Sequence, residues 1–195
     1  MPLRPLASAA RPSLTTRAIG LLAASIVLCA LVGTAPARAL EATEPAIKAA
    51  FLYKFGFFVE WPQASFASGD SPINLCIVGD DTFGALLDDT VKGKKIGNRT
   101  VAVRRMDAVT KNSGCHILYL PGAADARAVQ TLAALKGSNV LTVTDEKSNG
   151  DGGIISFVMK DNRVRFDIDD AAAASGGLAI DSRLLNLALA VKPRR

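Results

Sequence analysis

The apolar residues Ile47, Ala50, Phe51, Phe55 and Phe58 recur at intervals of three and four, the spacing of one helical face. Thr43 stands at the cap position, and Pro45 is tolerated in a first turn. The pattern predicts a helix running to about Trp61, because Pro62 disfavours helical geometry in the residue before it. Phe57 and Val59 widen the apolar surface beyond one stripe, so this helix is either deeply buried or partly a contact surface. Residues 63–72 are rich in Ser, Gly, Asp and Pro and predict a loop.

Ile73–Val78 is a short apolar run that predicts a strand, with a helix expected over 83–87. Further strands are predicted at 100–103, 115–120 and 140–143, with a helix over 124–135. Strands alternating with helices predict an α/β fold with a mostly parallel sheet, covered on both faces. The pattern changes after Gly152-Gly153. The runs 154–159 and 163–168 flank the polar turn Lys160-Asp161-Asn162 and predict a hairpin. The Ala run 171–174 is compatible with a helix. A last helix is expected after Asp181 or Ser182, with Leu184, Leu185, Leu187, Ala188 and Leu189 inward. The expected architecture is a single-domain mixed sheet, mostly parallel, flanked by helices and ending in a β-hairpin and a helix.

The N-terminal pattern is of another kind. Arg4, Arg11 and Arg17 lie in a stretch without acids, residues 18–33 are uncharged and apolar, and Ala37-Arg38-Ala39 supplies small residues around a cut. This order predicts a secretory signal peptide over 1–39, cleaved near Ala39, and one exported domain over 40–195. The apolar run is shorter than the ~20 residues of a spanning helix. Cys29 raises a lipoprotein, but Leu28 stands where a small residue would be expected.

With 49% apolar and 21% charged residues, the 195-residue chain has the composition of a folded globular protein. Its formal net charge of +5 includes the signal arginines Arg4, Arg11, Arg17 and Arg38. The exported part is close to neutral, and the charge argument for nucleic-acid binding falls away. Cys76 and Cys115 remain, and in an exported chain they suggest one disulfide. Both fall in predicted neighbouring strands, where bridge geometry is poor, so a strained and reducible bond is expected.

The residues offer little catalytic chemistry. His116, the only His, lies in an apolar run and reads as a hydrogen-bonded core residue rather than a base or metal ligand. One His and two distant cysteines make no zinc set. Gly79, Asp80, Asp81 and Gly84 form a loop between strand and helix, where open sheets often bind ligands. It carries neither dinucleotide nor phosphate-loop motif, and its acids would repel phosphate. It reads as a capped helix start, with a cationic or amine ligand as the alternative. The run Lys92, Lys94, Lys95, Arg99, Arg104 and Arg105 reads as a solvated loop and strand edge, or as a face for anionic lipid or an acidic partner. No aromatics interleave with it to stack single-stranded bases. Asp145, Glu146 and Asp151 read as a polar loop rather than an acid–base pair. No catalytic residue, metal or cofactor is expected.

The order of motifs goes further. Residues 47–55 (IKAAFLYKF) run on to Phe58-Val59-Glu60-Trp61-Pro62. Cys76-Ile77-Val78-Gly79-Asp80-Asp81, Cys115-His116-Ile117-Leu118-Tyr119 and Leu141-Thr142-Val143-Thr144-Asp145 follow, then Gly152-Gly153, Val164-Arg165-Phe166 and Ser182-Arg183-Leu184-Leu185. Across residues 45–191 this resembles the YfiR/HmsC-like family of small periplasmic proteins. Two features depart from the family pattern. Ile168 and Asp169 stand where Asn is frequent, and residues 146–151 lack a further Cys pair carried by some members. The resemblance implies a periplasmic, non-enzymatic repressor that binds the periplasmic sensor domain of an inner-membrane diguanylate cyclase. It would lower cyclic di-GMP and biofilm formation. A homodimer and a small-molecule effector stay open, the latter at Gly79, Asp80 and Asp81. The partner surface is expected at Phe57, Phe58, Glu60 and Trp61, where aromatics exceed what one helical stripe can bury, and at Arg165. Arg165 is expected to pair with Asp167 on one strand face.

Overall fold

A computed structural model of the chain describes residues 42–122, 125–145 and 152–194. The predicted signal peptide, Cys29, Glu146 and Asp151 lie outside the described residues. The elements follow in order: α1 (Glu44–Phe55), β1 (Val59–Glu60), a 3₁₀ turn (Gln63–Ser65), β2 (Ile73–Val78), α2 (Ala85–Val91), β3 (Lys95–Ile96) and β4 (Arg99–Met106). After these come β5 (Ile117–Leu120), α3 (Ala126–Leu135), β6 (Leu141–Asp145), β7 (Ile155–Lys160) and β8 (Arg163–Asp169). The chain closes with α4 (Asp170–Ser175), β9 (Ala179–Ile180), α5 (Ser182–Leu185) and β10 (Val191–Lys192).

Among the described residues an eight-stranded sheet has the order β10-β8-β7-β6-β5-β2-β4-β3. Strands β4, β2, β5, β6 and β7 run parallel. The predicted hairpin is β7 and β8, antiparallel with Phe157 opposite Phe166. Asp161 and Asn162 turn it with φ of 50° and 56°, a left-handed geometry that Asn and Asp tolerate best among side-chain-bearing residues. The mixed, mostly parallel α/β fold is as the sequence predicts.

Alternating strand residues feed two cores on opposite faces. Leu75, Ile77, Ile117, Tyr119, Leu141, Val143, Ile155 and Phe157 face the larger core, which contains Ala49, Leu52 and Phe55 of α1 and Leu87 and Val91 of α2. Cys76, Val78, Leu118 and Leu120 face the smaller one, closed by Val109, Cys115, Leu135 and Val140. Of the connection between the parallel strands β6 and β7, residues 152–154 are described. Gly153 and Ile154 lie back over β6, their N–H groups donating to Thr144 Oγ1 at 3.1 Å and Thr142 Oγ1 at 2.9 Å. Gly153 must lack a side chain here, because a Cβ would stand 2.6 Å from the Thr142 carbonyl oxygen.

Three expectations need correction. The first helix stops at Phe55, not near Trp61. Gly56 is a poor helix former, and the Ile96 side chain occupies the space a Cβ would need. Val59 then pairs with Ile180 in the small antiparallel ribbon β1–β9. The last helix is a single turn, and Leu187 is 57% exposed rather than inward. The chain leaves it to add β10 beside β8, with the Leu189 N–H donating to the Phe166 carbonyl. Thr43 occupies the cap of α1, yet its side chain makes no capping hydrogen bond.

The Cys76–Cys115 disulfide is present, with Cα atoms 5.8 Å apart, inside the usual range for a bridge. The reason for expecting strain does not hold. Cys115 precedes β5, and the residues in register with Cys76 are Leu118 and Arg104. The bridge ties the segment entering β5 to β2 inside the smaller core.

Candidate functional site

The chain turns sharply after α1, with the Phe57 and Phe58 N–H groups donating to the Lys54 and Phe55 carbonyls. That turn throws Phe57 outward, where it is 48% exposed. Its ring meets Tyr53 edge-on, with centroids 5.1 Å apart. Tyr53 is itself anchored, its hydroxyl donating to the Lys95 carbonyl at 3.1 Å and Lys94 Nζ standing 5.0 Å from its ring centroid. Phe57 is therefore an exposed aromatic on an ordered base, the form a binding anchor takes.

The ribbon β1–β9 carries the surface onward. Phe58 is half-buried beneath Arg183, whose guanidinium lies 5.5 Å from the ring centroid. Asp181 holds Arg183 at 2.7 Å, and its carboxyl lies at about 2, chiefly through that bond. Glu60 is exposed opposite Ala179. Trp61 is half-buried, packs on the larger core, and donates from Nε1 to the His116 carbonyl at 3.3 Å. Phe57, Phe58, Glu60 and Trp61 thus follow one another along the turn and β1, with Phe57 and Glu60 exposed and Phe58 and Trp61 half-buried against the larger core. Arg165 is not part of this segment. Val164 and Phe166 enter the larger core, so alternation puts Arg165 on the opposite face of β8, exposed and 3.5 Å from the Leu187 carbonyl.

At the 79–84 loop, Asp81 Oδ1 accepts from the Phe83 and Gly84 N–H groups at 2.8 and 3.1 Å. Its Oδ2 accepts from Arg105 Nε at 2.6 Å, and Arg105 also grips Asp88 at 2.6 Å. Burial works against the Asp81 charge, but Arg105 and the two amides prevail and lower its pKa. Asp81 braces the turn that leads into α2 and locks it to β4; the cap position of the helix is Gly84, which has no side-chain capping bond. Of the loop's two acids only Asp80 is exposed. The basic run is likewise largely engaged. Arg99 donates to the Ser68 and Ser71 carbonyls, and Arg104 to the Ser113 carbonyl.

A polar cluster at the ends of β5 and β6 has little signal in the sequence. The buried Tyr119 hydroxyl donates to Asp145 Oδ2 at 2.6 Å, and Lys48 stands 2.9 Å from the other carboxylate oxygen. Lys48 also meets Glu44 at 2.6 Å, and this i,i+4 pair was the one readable sign. Burial, and then the bond to Asp145, raise the Tyr119 pKa, so the hydroxyl is a fixed donor and not a base. Asp145 pins α1 to the sheet. His116 sits as the sequence suggests, buried and hydrogen-bonded through its ring. Among the described residues no three His, Cys, Asp or Glu gather as a metal set, and no helix is long and apolar enough to cross a membrane.

No curated protein matches the chain. The model of the YfiR/HmsC-like family matches residues 45–189, which takes in α1 from its second residue, Phe57 to Trp61, the disulfide, the hairpin and α5. With the motifs of that family running in order through the sheet just described, the chain belongs to the YfiR/HmsC-like family.

Proposed function

We propose that the chain is a periplasmic regulatory protein that represses an inner-membrane diguanylate cyclase by binding its periplasmic sensor domain. In this reading residues 1–39 direct export, and the bound repressor lowers cyclic di-GMP and biofilm formation. Family membership supports the regulatory role. The observation that carries the binding mode is the exposed Phe57 on its Tyr53 base, followed along the chain by Phe58, Glu60 and Trp61. A repressor of this kind works by binding the partner's inactive state more tightly than its active one. The Phe57–Trp61 segment supplies an apolar contact with a charged rim at Glu60 and Arg183.

The test is a strain lacking the chain, assayed for cyclic di-GMP. Deletion should raise the level, and the wild-type chain should restore it. A Phe57→Ser chain exported in equal amount should not. Unchanged cyclic di-GMP on deletion would sink the reading. The alternative is a small-ligand sensor at Gly79, Asp80 and Asp81. It is less well supported, because Asp81 is already bound to Arg105 and two backbone amides.

A further inference from the structure

His116 is buried, and its ring is fixed at both nitrogens by backbone groups. Nδ1 accepts from the Asn74 N–H at 3.0 Å, so that nitrogen carries no proton. The proton is on Nε2, which donates to the Ser65 carbonyl at 3.1 Å. The carbonyl of His116 holds Trp61 Nε1 at 3.3 Å. Phe66 stacks on the imidazole at 4.5 Å between centroids, and Arg99 lies 3.6 Å from the Phe66 centroid. The segment from Trp61 to Phe66 thus meets the sheet at His116, and the bond that holds this ring against β2, from the Asn74 N–H to Nδ1, requires a neutral imidazole.

The surroundings oppose a charge on this ring. From β2 comes Asn74, and from the 61–66 segment come Trp61, Ser65 and Phe66, all uncharged. Asn139, just before β6, donates to Ser65 Oγ at 2.6 Å. The charged neighbour is the cation Arg99 of β4. Burial pushes the His116 pKa down, the Ser65 carbonyl opposes that shift, and Arg99 adds to it.

We propose that His116 is an acid-sensitive latch for the Trp61 end of the partner surface. A proton taken from solvent at Nδ1 turns an acceptor into a donor facing the Asn74 N–H, so the ring must swing away from β2; the Ser65 and Phe66 contacts it carries are displaced with it, and the 61–66 segment loosens from the sheet. The regulatory consequence, release of the partner in acid, rests on the reading of Trp61 as partner-facing. The sign is fixed by linkage. With the folded pKa below the unfolded one, the stabilisation is complete above about pH 6.5 and is lost as pH falls through the folded value.

The chain has one His and one Trp, so both ends of the latch report on themselves. The exported chain is titrated from about pH 8 to about pH 5, following the imidazole by NMR and Trp61 by fluorescence. The His116 midpoint should lie below its ordinary value, and Trp61 emission should move to longer wavelength with the same midpoint. Arg99→Gln should raise both midpoints, and His116→Gln should abolish the emission change. A midpoint at or above the ordinary histidine value, or an emission that ignores the His116 titration, overturns the latch. The partner reading is tested apart from it, by binding of Trp61→Ala to the cyclase sensor domain at neutral pH. Unchanged binding there removes Trp61 from the surface and with it the release claim, but leaves the optical result standing.

Discussion

Charges at single residues in this protein mostly serve to hold elements together. Asp81, Arg105 and Asp88 join the start of α2 to β4 through bonds of 2.6 Å. Arg105 lowers the Asp88 pKa chiefly by direct hydrogen bonding, and lowers that of Asp81 against the cost of burial. Their stabilisation is present above the ordinary carboxylate range, about pH 4, and is lost as pH falls through the lowered values. Acid unfolding should therefore show a second, lower step apart from the His116 step. Arg105→Met should shrink that lower step in pH-dependent melting and leave the His116 step in place. Arg105 and Asp88 are exposed and Asp81 is half-buried, so solvent screens the pairs and the gain at neutral pH is small. The Tyr119 hydroxyl is different, because it is buried against Asp145. Tyr119→Phe leaves that carboxylate short of a donor and should cost roughly 1–3 kcal/mol in denaturant unfolding. A loss within measurement error would show that Lys48 alone satisfies Asp145.

At the scale of elements, the sequence was legible where one local period ran unbroken. Ile73–Val78 and the β7–β8 hairpin stand where the pattern places them, because apolar alternation and turn chemistry are local signals. The end of α1 was not legible in the same way. Phe58 continues the helical spacing of Phe51 and Phe55, but Gly56 accommodates Ile96, and the chain is claimed by β9 from far along the sequence. The C-terminal leucines failed for a related reason: Leu189 is held by the Phe166 carbonyl, a sheet contact that no helical period encodes. The disulfide was legible as a pairing and misread as to place, since Cys115 enters beside β2 before β5 begins. It closes a separation of 39 residues, for which the chain-entropy account gives about 4 kcal/mol. Replacing both cysteines by Ser should lower the unfolding free energy by roughly 2–4 kcal/mol. The helices on the larger core should keep their circular dichroism at low temperature. If the double variant melted with the wild type, the bridge would be incidental to the fold.

For the whole molecule, the question is whether the Phe57–Trp61 segment belongs to a core or to a partner. The helix predicted to run to about Trp61 would have carried Phe57 and Trp61 together. The fold separates them. Trp61 is half-buried, hydrogen-bonded to β5's approach and packed on the larger core, whereas Phe57 projects from the turn on a Tyr53 base. Trp61→Ala should therefore weaken folding and binding together, so by itself it separates the two roles poorly. Phe57→Ser separates them well. Exposed positions seldom change stability by more than about 0.5 kcal/mol. A central aromatic anchor is worth about 2 kcal/mol or more, close to a thirtyfold change in affinity. The expected result is a melting temperature within a degree or two of wild type and a binding constant for the cyclase sensor domain weakened by about thirtyfold. Rim charge at Glu60 should act through the association rate and the salt dependence, with a smaller effect on the dissociation rate. If Phe57→Ser bound the sensor domain as tightly as wild type, the exposed aromatic would be an ordinary surface residue. The contact would then have to be sought elsewhere, first on the opposite face of β8, where Arg165 and Leu187 are exposed together.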